Sequence, residues 1–349
     1  MLYISSSRVF QSSLRATALA ALALMGSAAL AETDAPVSTP APSSTDAARD
    51  ALGKKDGDVD QAALLKQTLT ASDKQYSLIK TGKWSATYDL SYAYTGQQSI
   101  DAKWSDSTLT LFKISNTRAH TITNTVSVDY GWRDNVTANV AMPIVSKYSE
   151  SSDFSGLSHG FGDLQVGARW QPFEMRRDAP SFTTSATVRL PTGRSPYRTI
   201  AGQNLATGSG TAGLTLGVNS SKVIDPIALF GSASLGLSAP ARHLSQERDG
   251  VTLTSVAPGP TLGFGGGFAY ALSYDVSTTM SFQESLSFPS KLTFDNGTTS
   301  RTSMQSSGTF NIGLGVRVAP QNTINLSVGI GLTSDSPDFT LGMNMPLNF

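Results

Sequence analysis

The sequence predicts an all-β protein: a transmembrane antiparallel β-barrel of 12 strands, preceded by a short N-terminal periplasmic helix. Three observations predict this fold. Apolar and polar residues alternate with a period of two in segment after segment, no run after residue 31 is apolar enough for a membrane helix, and the chain ends on an aromatic residue, Phe349. Because alternate side chains of a strand face opposite sides, an apolar face paired with a Ser/Thr/Asp face indicates lipid outside and water inside.

The composition fits a barrel better than a bundle of helices or a pair of soluble domains. Only 15% of residues are charged and 31 are glycine, which suits an uncharged lipid face and a lumen lined by small polar groups. Cysteine is absent, so disulfides, thiolate nucleophiles and Cys-based metal sites are excluded. The formal net charge is +0, which gives no reason to expect a nucleic-acid partner. No cofactor or metal site is predicted.

Three segments precede the barrel. Residues 1–31 are predicted to be a signal peptide, because two arginines precede a short apolar run that ends in Ala29-Leu30-Ala31. An uncleaved anchor is the alternative. Residues 32–57 are rich in Pro, Ala and Ser and are expected to be a disordered tether. Residues 58–82 carry a helical apolar stripe, and this periplasmic helix would plug the lumen, self-associate or stand without a partner.

The barrel is predicted over residues 83–349 by following the alternation from turn to turn. Longer loops are expected at 149–160, 192–208 and 239–252, and a polar loop after the first strand. The predicted number of strands, twelve, is even, as is required for a barrel whose two chain termini both lie in the periplasm. Strands are expected near residues 83–94, 122–132, 136–144, 164–170, 182–190, 212–218, 227–237, 262–270, 274–282, 310–318, 324–332 and 339–349.

Aromatic residues support this count, since they favour membrane interfaces. The aromatic residues at lipid-facing positions near one end of the strands form a predicted girdle: Trp84, Tyr130, Trp132, Trp170, Phe182, Tyr270, Tyr274 and Phe349. The last strand resembles the C-terminal signal read by the barrel assembly machinery through its alternating residues Phe339, Leu341, Met343, Met345, Leu347 and Phe349. The expected partners are therefore outer-membrane lipid and that machinery, in the outer membrane of a Gram-negative cell with the N-terminal region in the periplasm.

The alternate positions of the same strands, which face the lumen, supply candidate pore-lining residues. They are Asp89, Asp129, Asp163, Gln165, Arg169, Arg189, Asp275, Gln283, Arg301, Gln305, Asn311, Arg317 and Asn325. Pairing the fourth and fifth strands places Asp163 diagonal to Arg189, so an ion pair is predicted between them. Such charges would either set the selectivity of a pore or brace its lumen.

Three short glycine-rich motifs follow one another in the middle of the chain. They read GFGDLQVG at 160–167, LPTG at 190–193 and TGSG at 207–210. This succession resembles the outer-membrane transporter family named after the meta-pathway of phenol degradation, which is similar to the twelve-stranded export barrel of the Fap functional-amyloid system. The resemblance spans residues 83–349 and implies an outer-membrane barrel that transports a solute or a polypeptide.

Three functions are consistent with these patterns. The first is a channel that passes a small or extended solute through a polar lumen. The second is an export port for an unfolded or amyloid-type protein. The third is a lipid-modifying enzyme, because some twelve-stranded outer-membrane barrels are lipases; here His159 directly follows Ser158, but adjacency in a loop does not establish a nucleophile and base. No catalytic residues and no enzyme activity are predicted, and a homo-oligomer is compatible with the sequence.

Overall fold

The computed structural model describes residues 78–105, 108–151, 155–173, 179–199, 204–224, 226–248, 251–319 and 322–347. The predicted signal peptide and tether, most of the predicted helix, and Phe349 lie outside these residues. The described end of the predicted helix is not helical: residues 78–80 are irregular and 81–82 form a turn. Within the described ranges, no helix has the length and apolar character to cross a membrane.

The described residues form 17 strands. They are β1 Trp84–Ser105, β2 Thr108–Arg133, β3 Val136–Glu150, β4 Ser155–Phe161, β5 Leu164–Trp170, β6 Ser181–Leu190, β7 Gly213–Ile224, β8 Ile227–Ser238, β9 Gln246–Arg248, β10 Val251–Ala257, β11 Thr261–Ala271, β12 Val276–Ser287, β13 Lys291–Phe294, β14 Thr299–Arg301, β15 Gln305–Ala319, β16 Asn322–Gly331 and β17 Phe339–Leu347.

Thirteen of these strands form one closed antiparallel sheet. Its order is β2-β1-β17-β16-β15-β12-β11-β8-β7-β6-β5-β3-β4, and a further pairing of β2 with β3 closes the ring. Because β4 and β5 pair with successive parts of β3, they act as one interrupted strand. The wall therefore has 12 strands, and the predicted antiparallel barrel is confirmed.

Two loop predictions near the start of the barrel were wrong. The polar loop expected after the first strand is instead a continuous ladder, in which β1 and β2 pair from Trp84↔Tyr130 to Ser105↔Thr108. The loop expected at 149–160 contains β4, and the wall strand breaks only at Gly162 and Asp163. The second segment lacks an apolar alternation and so gives no periodic signal, whereas the first has one, with Ile100, Ala102 and Trp104 alternating with Asp101, Lys103 and Ser105.

A second sheet of four strands, in the order β14-β13-β10-β9, was not predicted. It is built from the two excursions that connect β8 to β11 and β12 to β15. One face of β10 is apolar, and its Leu253 and Val256 are buried. The end of the barrel that carries the tight turns at 134–135 and 272–275 is called the short-turn end, and the opposite end is called the loop end. The second sheet lies at the loop end.

The barrel is apolar outside and polar inside. On β2, Val126, Val128 and Tyr130 are exposed on the outer face, whereas the alternating Ser127 and Asp129 are buried on the inner face. The predicted girdle residues in the described ranges are exposed at the short-turn ends of their strands or in the adjoining turn. Their role at a membrane interface stays a prediction, as does the assembly signal, most of which forms β17.

A second group of aromatic side chains lies on the outer face towards the loop end. Tyr94 contacts His120 and Phe339, with ring centroids 5.1 and 5.5 Å apart, and His120 also contacts Tyr148 at 5.9 Å. The Tyr92 hydroxyl and His120 Nδ1 are hydrogen-bonded at 2.8 Å. Amphipathic rings of this kind suit a membrane boundary, so the apolar band between the two aromatic groups has the character of a membrane-spanning zone.

The chain reaches β1 from the inner side of the wall. Gly82 has a φ of 74°, which turns the backbone inward just before the first strand. The Ile79 amide then donates to Thr137 Oγ1, an inner-face group, at 2.9 Å. A Cβ placed on Gly131 would lie 2.2 Å from the Lys80 carbonyl oxygen, so the backbone of this segment rests directly on the wall.

Thr81 fastens the same segment to the turn between β2 and β3. Its hydroxyl donates to Asp134 Oδ1 at 2.6 Å, and its amide approaches the same oxygen at 3.4 Å. The hydroxyl, and then the amide, hold the pKa of Asp134 below its usual value. A carboxyl whose pKa is lowered by folding stabilises the folded state above its unfolded pKa and loses that effect as the pH falls through the folded pKa. The attachment therefore weakens only in acid.

We predict that Gly131→Ala displaces the segment that precedes β1, because the added methyl group cannot share space with the Lys80 carbonyl. Hydrogen exchange of the Ile79 amide should accelerate while the strands stay protected. Gly231→Ala is the matched control, since its Cβ would meet nothing closer than 3.5 Å. Equal protection of Ile79 in both variants would contradict this account of the inward turn.

Candidate functional site: the lumen and its inward loop

The inner face is buried at the short-turn end and exposed towards the loop end. Gln165, Thr215 and Gln283 are exposed inner-face residues of the upper half. The lumen is therefore a vestibule that is open towards the loop end and narrows below. The described buried polar residues of the lower half are Thr87, Ser127, Asp129, Thr137, Arg169, Thr183, Asn219, Ser277, Thr279, Thr323 and Asn325.

A charged pair crosses the lower part of the inner wall. Arg169 Nη2 donates to Asp129 Oδ1 at 2.6 Å, and the two side chains are only 7% and 6% exposed. The residues belong to β5 and β2, so the arginine lies flat across the intervening β3. Removing one partner of such a buried pair costs about 3–5 kcal/mol, because it leaves an uncompensated charge.

Asp163 organises the upper part of the wall. This carboxylate lies at the break between β4 and β5 and accepts three hydrogen bonds: from the Gly193 amide at 3.1 Å, the Ser209 amide at 2.7 Å and the Ser209 hydroxyl at 2.6 Å. Arg189 Nε is 3.8 Å away, which confirms the predicted ion pair. Arg189 also donates through Nη2 to Ser238 Oγ at 3.3 Å. Asp163 thus ties two legs of one loop to the inner wall.

This loop, described over residues 191–199 and 204–212, lies along the free edge of β4. In the described part of the chain β4 pairs with β3 alone, so its other backbone edge has no strand beside it. The Leu205 amide donates to Ser158 Oγ at 2.9 Å, and Thr207 Oγ1 donates to the Phe161 carbonyl at 2.8 Å. The second of these bonds satisfies one backbone carbonyl on the edge of β4, whereas the first uses the Ser158 side chain.

Two glycines allow the legs of the loop to meet. A Cβ on Gly208 would lie 2.3 Å from Asp163 Oδ1 and 2.9 Å from the Gly193 Cα. A Cβ on Gly193 would in turn lie 2.8 Å from the Gly208 Cα. The LPTG and TGSG motifs thus supply residues without a side chain where two backbones and a carboxylate are in contact.

The far side of the loop is attached to the second sheet. Gln246 Nε2 of β9 donates to the Thr199 carbonyl at 3.2 Å and approaches that of Pro196 at 3.5 Å. Tyr197 is half-buried between these residues, and burial raises the pKa of its hydroxyl. The loop is consequently held both by the inner wall and by the small sheet above it.

Most sequence-predicted pore residues lie on the inner face. Asp89, which accepts a hydrogen bond from the Asn344 amide group, belongs to this set with Asp129, Asp163, Gln165, Arg169, Arg189, Gln283, Gln305, Asn311, Arg317 and Asn325. Two placements were wrong. Asp275 is exposed in the tight turn before β12, and Arg301 lies in β14 of the small sheet rather than in the wall. That the others line a conducting pore stays a prediction.

Several residues of the site were not found from the sequence. Ser209, Thr207 and Thr192 supply the hydroxyls that fix the loop, and they were hidden in a glycine-rich stretch with no periodicity. Their position inside the family motifs was the available signal. Asn219 is a buried inner-face amide of β7 that the alternation alone does not distinguish from a neighbouring serine or threonine.

The histidine that was considered for catalysis does not contact its neighbour Ser158. Ser158 is buried and accepts from Leu205, whereas His159 is outward and its Nδ1 is hydrogen-bonded to Ser146 Oγ at 2.6 Å. A hydrolase would also need a third group to orient the imidazole. In the part of the chain that the structure describes, no group of three or more His, Cys, Asp or Glu residues could hold a metal ion.

Comparison with known proteins gives both a family and a fold. The family model described as "Putative MetA-pathway of phenol degradation" matches residues 106–349. A COG4313 outer membrane channel from Pseudomonas putida F1 has a similar structure, with a TM-score of 0.55 at 14% identity over 78% of this chain and 98% of that one. At this identity the likeness shows the barrel fold alone.

Two further structures are more distant. The translocator domain of the autotransporter NalP from Neisseria meningitidis has a TM-score of 0.43 and 13% identity, over 88% of this chain and 98% of that chain. A FadL homologue from Pseudomonas aeruginosa has a TM-score of 0.38 and 11% identity, over 76% and 89%. Neither likeness carries an argument about function.

We predict that Asp163→Ala releases the inward loop. Three donors and Arg189 lose their acceptor, so the free energy of unfolding should fall by about 2–4 kcal/mol, and hydrogen exchange of the Gly193 and Ser209 amides should accelerate. Asp163→Asn, which keeps one acceptor oxygen, should have a smaller effect. Asp275→Ala removes an exposed carboxylate and should change neither quantity. A loop that stays protected in Asp163→Ala would show that this carboxylate is not its anchor.

Proposed function

The chain belongs to the family described as putative MetA-pathway of phenol degradation, and on this premise we propose that it is an outer-membrane channel that passes a small solute through its polar lumen. The observation that carries the proposal is a closed barrel with an apolar outer face and a polar vestibule. A soluble β-barrel would instead have a polar outer face and an apolar interior. The driving force is a concentration gradient or a periplasmic partner.

The inward loop limits what the vestibule admits. Its described parts are held by Asp163 on the inner wall, and its Thr199 carbonyl accepts a hydrogen bond from Gln246 of β9 above. A fixed loop inside the mouth favours small solutes over an unfolded or amyloid-type polypeptide. Charged solutes would meet Arg189, a half-exposed cation at the same level, so this residue contributes to ion selectivity.

The region before residue 78 is proposed to regulate passage from the short-turn end. This proposal is supported by the described residues that follow it, because Ile79 and Lys80 lie against the inner wall beside Thr137 and Gly131. The proposed location is accordingly the outer membrane of a Gram-negative cell, with the N-terminal region on the periplasmic side and no catalytic role.

We predict that residues 32–349, reconstituted in a planar bilayer, form discrete single channels. Deleting residues 32–77 should raise the conductance, because the proposed obstruction is removed. Arg189→Ala should shift selectivity towards cations, since one positive charge is lost from the vestibule, whereas Lys291→Ala on the small sheet should leave it nearly unchanged. Absence of conductance in both the full and the shortened chain would contradict the channel, and hydrolysis of the bilayer lipid would favour an enzyme instead.

A further inference from the structure

The inward loop carries an excess of positive charge. Residues 191–212 include Arg194 and Arg198 and contain neither aspartate nor glutamate. Both arginines are exposed, and in the described part of the chain the one acidic residue that is hydrogen-bonded to the loop is Asp163. Charges of one sign inside a narrowed mouth raise the local concentration of solutes with the opposite sign.

Lys147 adds a cation from the barrel wall. This residue lies on the inner face of β3, where it is half-buried and directly opposite Ser158 of β4. Ser158 accepts the hydrogen bond of the Leu205 amide, so the lysine lies beside the second leg of the loop. Its other cross-strand neighbour is Thr121 of β2, which has no charge. Lys147 therefore extends the positive surface from the loop to the wall.

The negative charge beside the loop is already matched. Asp163 accepts three hydrogen bonds and lies 3.8 Å from Arg189 Nε. By contrast, the Lys147 ammonium and the guanidinium groups of Arg194 and Arg198 have neither a hydrogen bond nor an ion pair among the residues that the structure describes. These three side chains are thus available to an anion from solution.

The acidic residue of β9 faces away from this surface. Gln246 donates through Nε2 to the Thr199 carbonyl of the loop, and Glu247 is the next residue of the strand. Because successive side chains of a strand point to opposite faces, Glu247 does not point at the loop. It therefore leaves the positive charge of the loop uncompensated.

Backbone hydrogen bonds hold the two arginines in place. The Arg194 amide donates to Thr207 Oγ1 at 3.0 Å, and the Arg194 carbonyl accepts from the Gly208 amide at 3.1 Å. The Arg198 amide donates to the Ser195 carbonyl at 3.2 Å, which closes a turn next to the attachment to β9. Because these bonds fix the chain and not the guanidinium groups, the positive charges stay at the mouth while their donors remain free for a solute.

We propose that Lys147, Arg194 and Arg198 form a cationic filter that selects small organic anions carrying a carboxylate group. The planar fork of a guanidinium matches a carboxylate, whereas the ammonium attracts it as a point charge. Passage needs contacts that are favourable enough for entry and weak enough for release, and exposed or half-buried cations in series meet that need. This inference rests on the proposed channel function and names the class of solute that the channel prefers.

The first test measures ion selectivity in planar bilayers with residues 32–349 and a gradient of potassium acetate. At an ionic strength of about 0.1 M, the reversal potential should show that acetate passes more readily than potassium. Replacing the three cations together, as Lys147→Gln, Arg194→Gln and Arg198→Gln, should lower the acetate-to-potassium permeability ratio by about fivefold or more, the effect of one unit charge at contact distance in water. Raising the salt to about 1 M should also lower the ratio, because screening shortens the reach of exposed charges.

A matched control removes the same amount of charge outside the filter. It combines Arg242→Gln, Lys291→Gln and Arg301→Gln, which replace exposed residues in or beside the small sheet, and it should leave the ratio nearly unchanged. A wild-type chain that prefers potassium, or a filter variant that keeps the wild-type ratio, would overturn the proposal.

The second test needs no conduction. Calorimetric titration of the detergent-solubilised chain with citrate, at low salt, should show binding that weakens about tenfold in the filter variant and is unchanged in the control variant. Thermal unfolding should be the same in all three proteins, because the replaced side chains lie at exposed or half-buried positions. Equal citrate affinity in the filter variant and the wild-type chain would contradict the filter, whereas citrate binding through these residues without bilayer conductance would contradict the channel alone.

Discussion

The structure depends on one constraint: a backbone that crosses hydrocarbon must satisfy all its amide and carbonyl groups internally. A closed antiparallel sheet satisfies them, and here the ring closes through β2 and β3 with no edge in the membrane-spanning zone. The exception is β4, whose second edge is free of strands. The inward loop donates a hydrogen bond to the Phe161 carbonyl there, so the feature that narrows the lumen also covers part of this edge.

The second constraint acts on the inner face, where buried polar side chains need hydrogen-bond or ion-pair partners because their burial without partners costs free energy. Two pairs of described charges meet it along the wall. Arg169 reaches Asp129 across β3, and Arg189 lies between Asp163 and Ser238 with its guanidinium over Gly213. Flat arginines and side-chain-free glycines leave space in the centre of the vestibule. Asn219 departs from this rule, because neither polar atom of its buried amide has a hydrogen-bond partner among the described residues.

The sequence predicted the features that follow from a two-faced strand. The strand count, the outward residues and the Asp163–Arg189 pair could all be derived from parity and register, since lipid on one side makes the alternation strict. It did not predict β4, the small sheet or the extended first hairpin. In β4 no apolar period distinguishes a strand from a coil. The extension of the first hairpin does alternate, from Ile100 to Trp104, so it could have been predicted. The loop hydroxyls and Asn219 required three-dimensional contacts between segments far apart in the chain.

The central claim is that apolar side chains face lipid while polar ones face a water-filled vestibule, and site-directed labelling tests it most directly. The chain has no cysteine, so single cysteines can be placed at Thr215 and Gln283 and at their neighbours Leu214 and Phe282. In lipid vesicles, a membrane-impermeant maleimide should label the first two and spare the second two, which only a lipid-soluble reagent should reach. Equal labelling at all four positions, or the reverse pattern, would contradict the account.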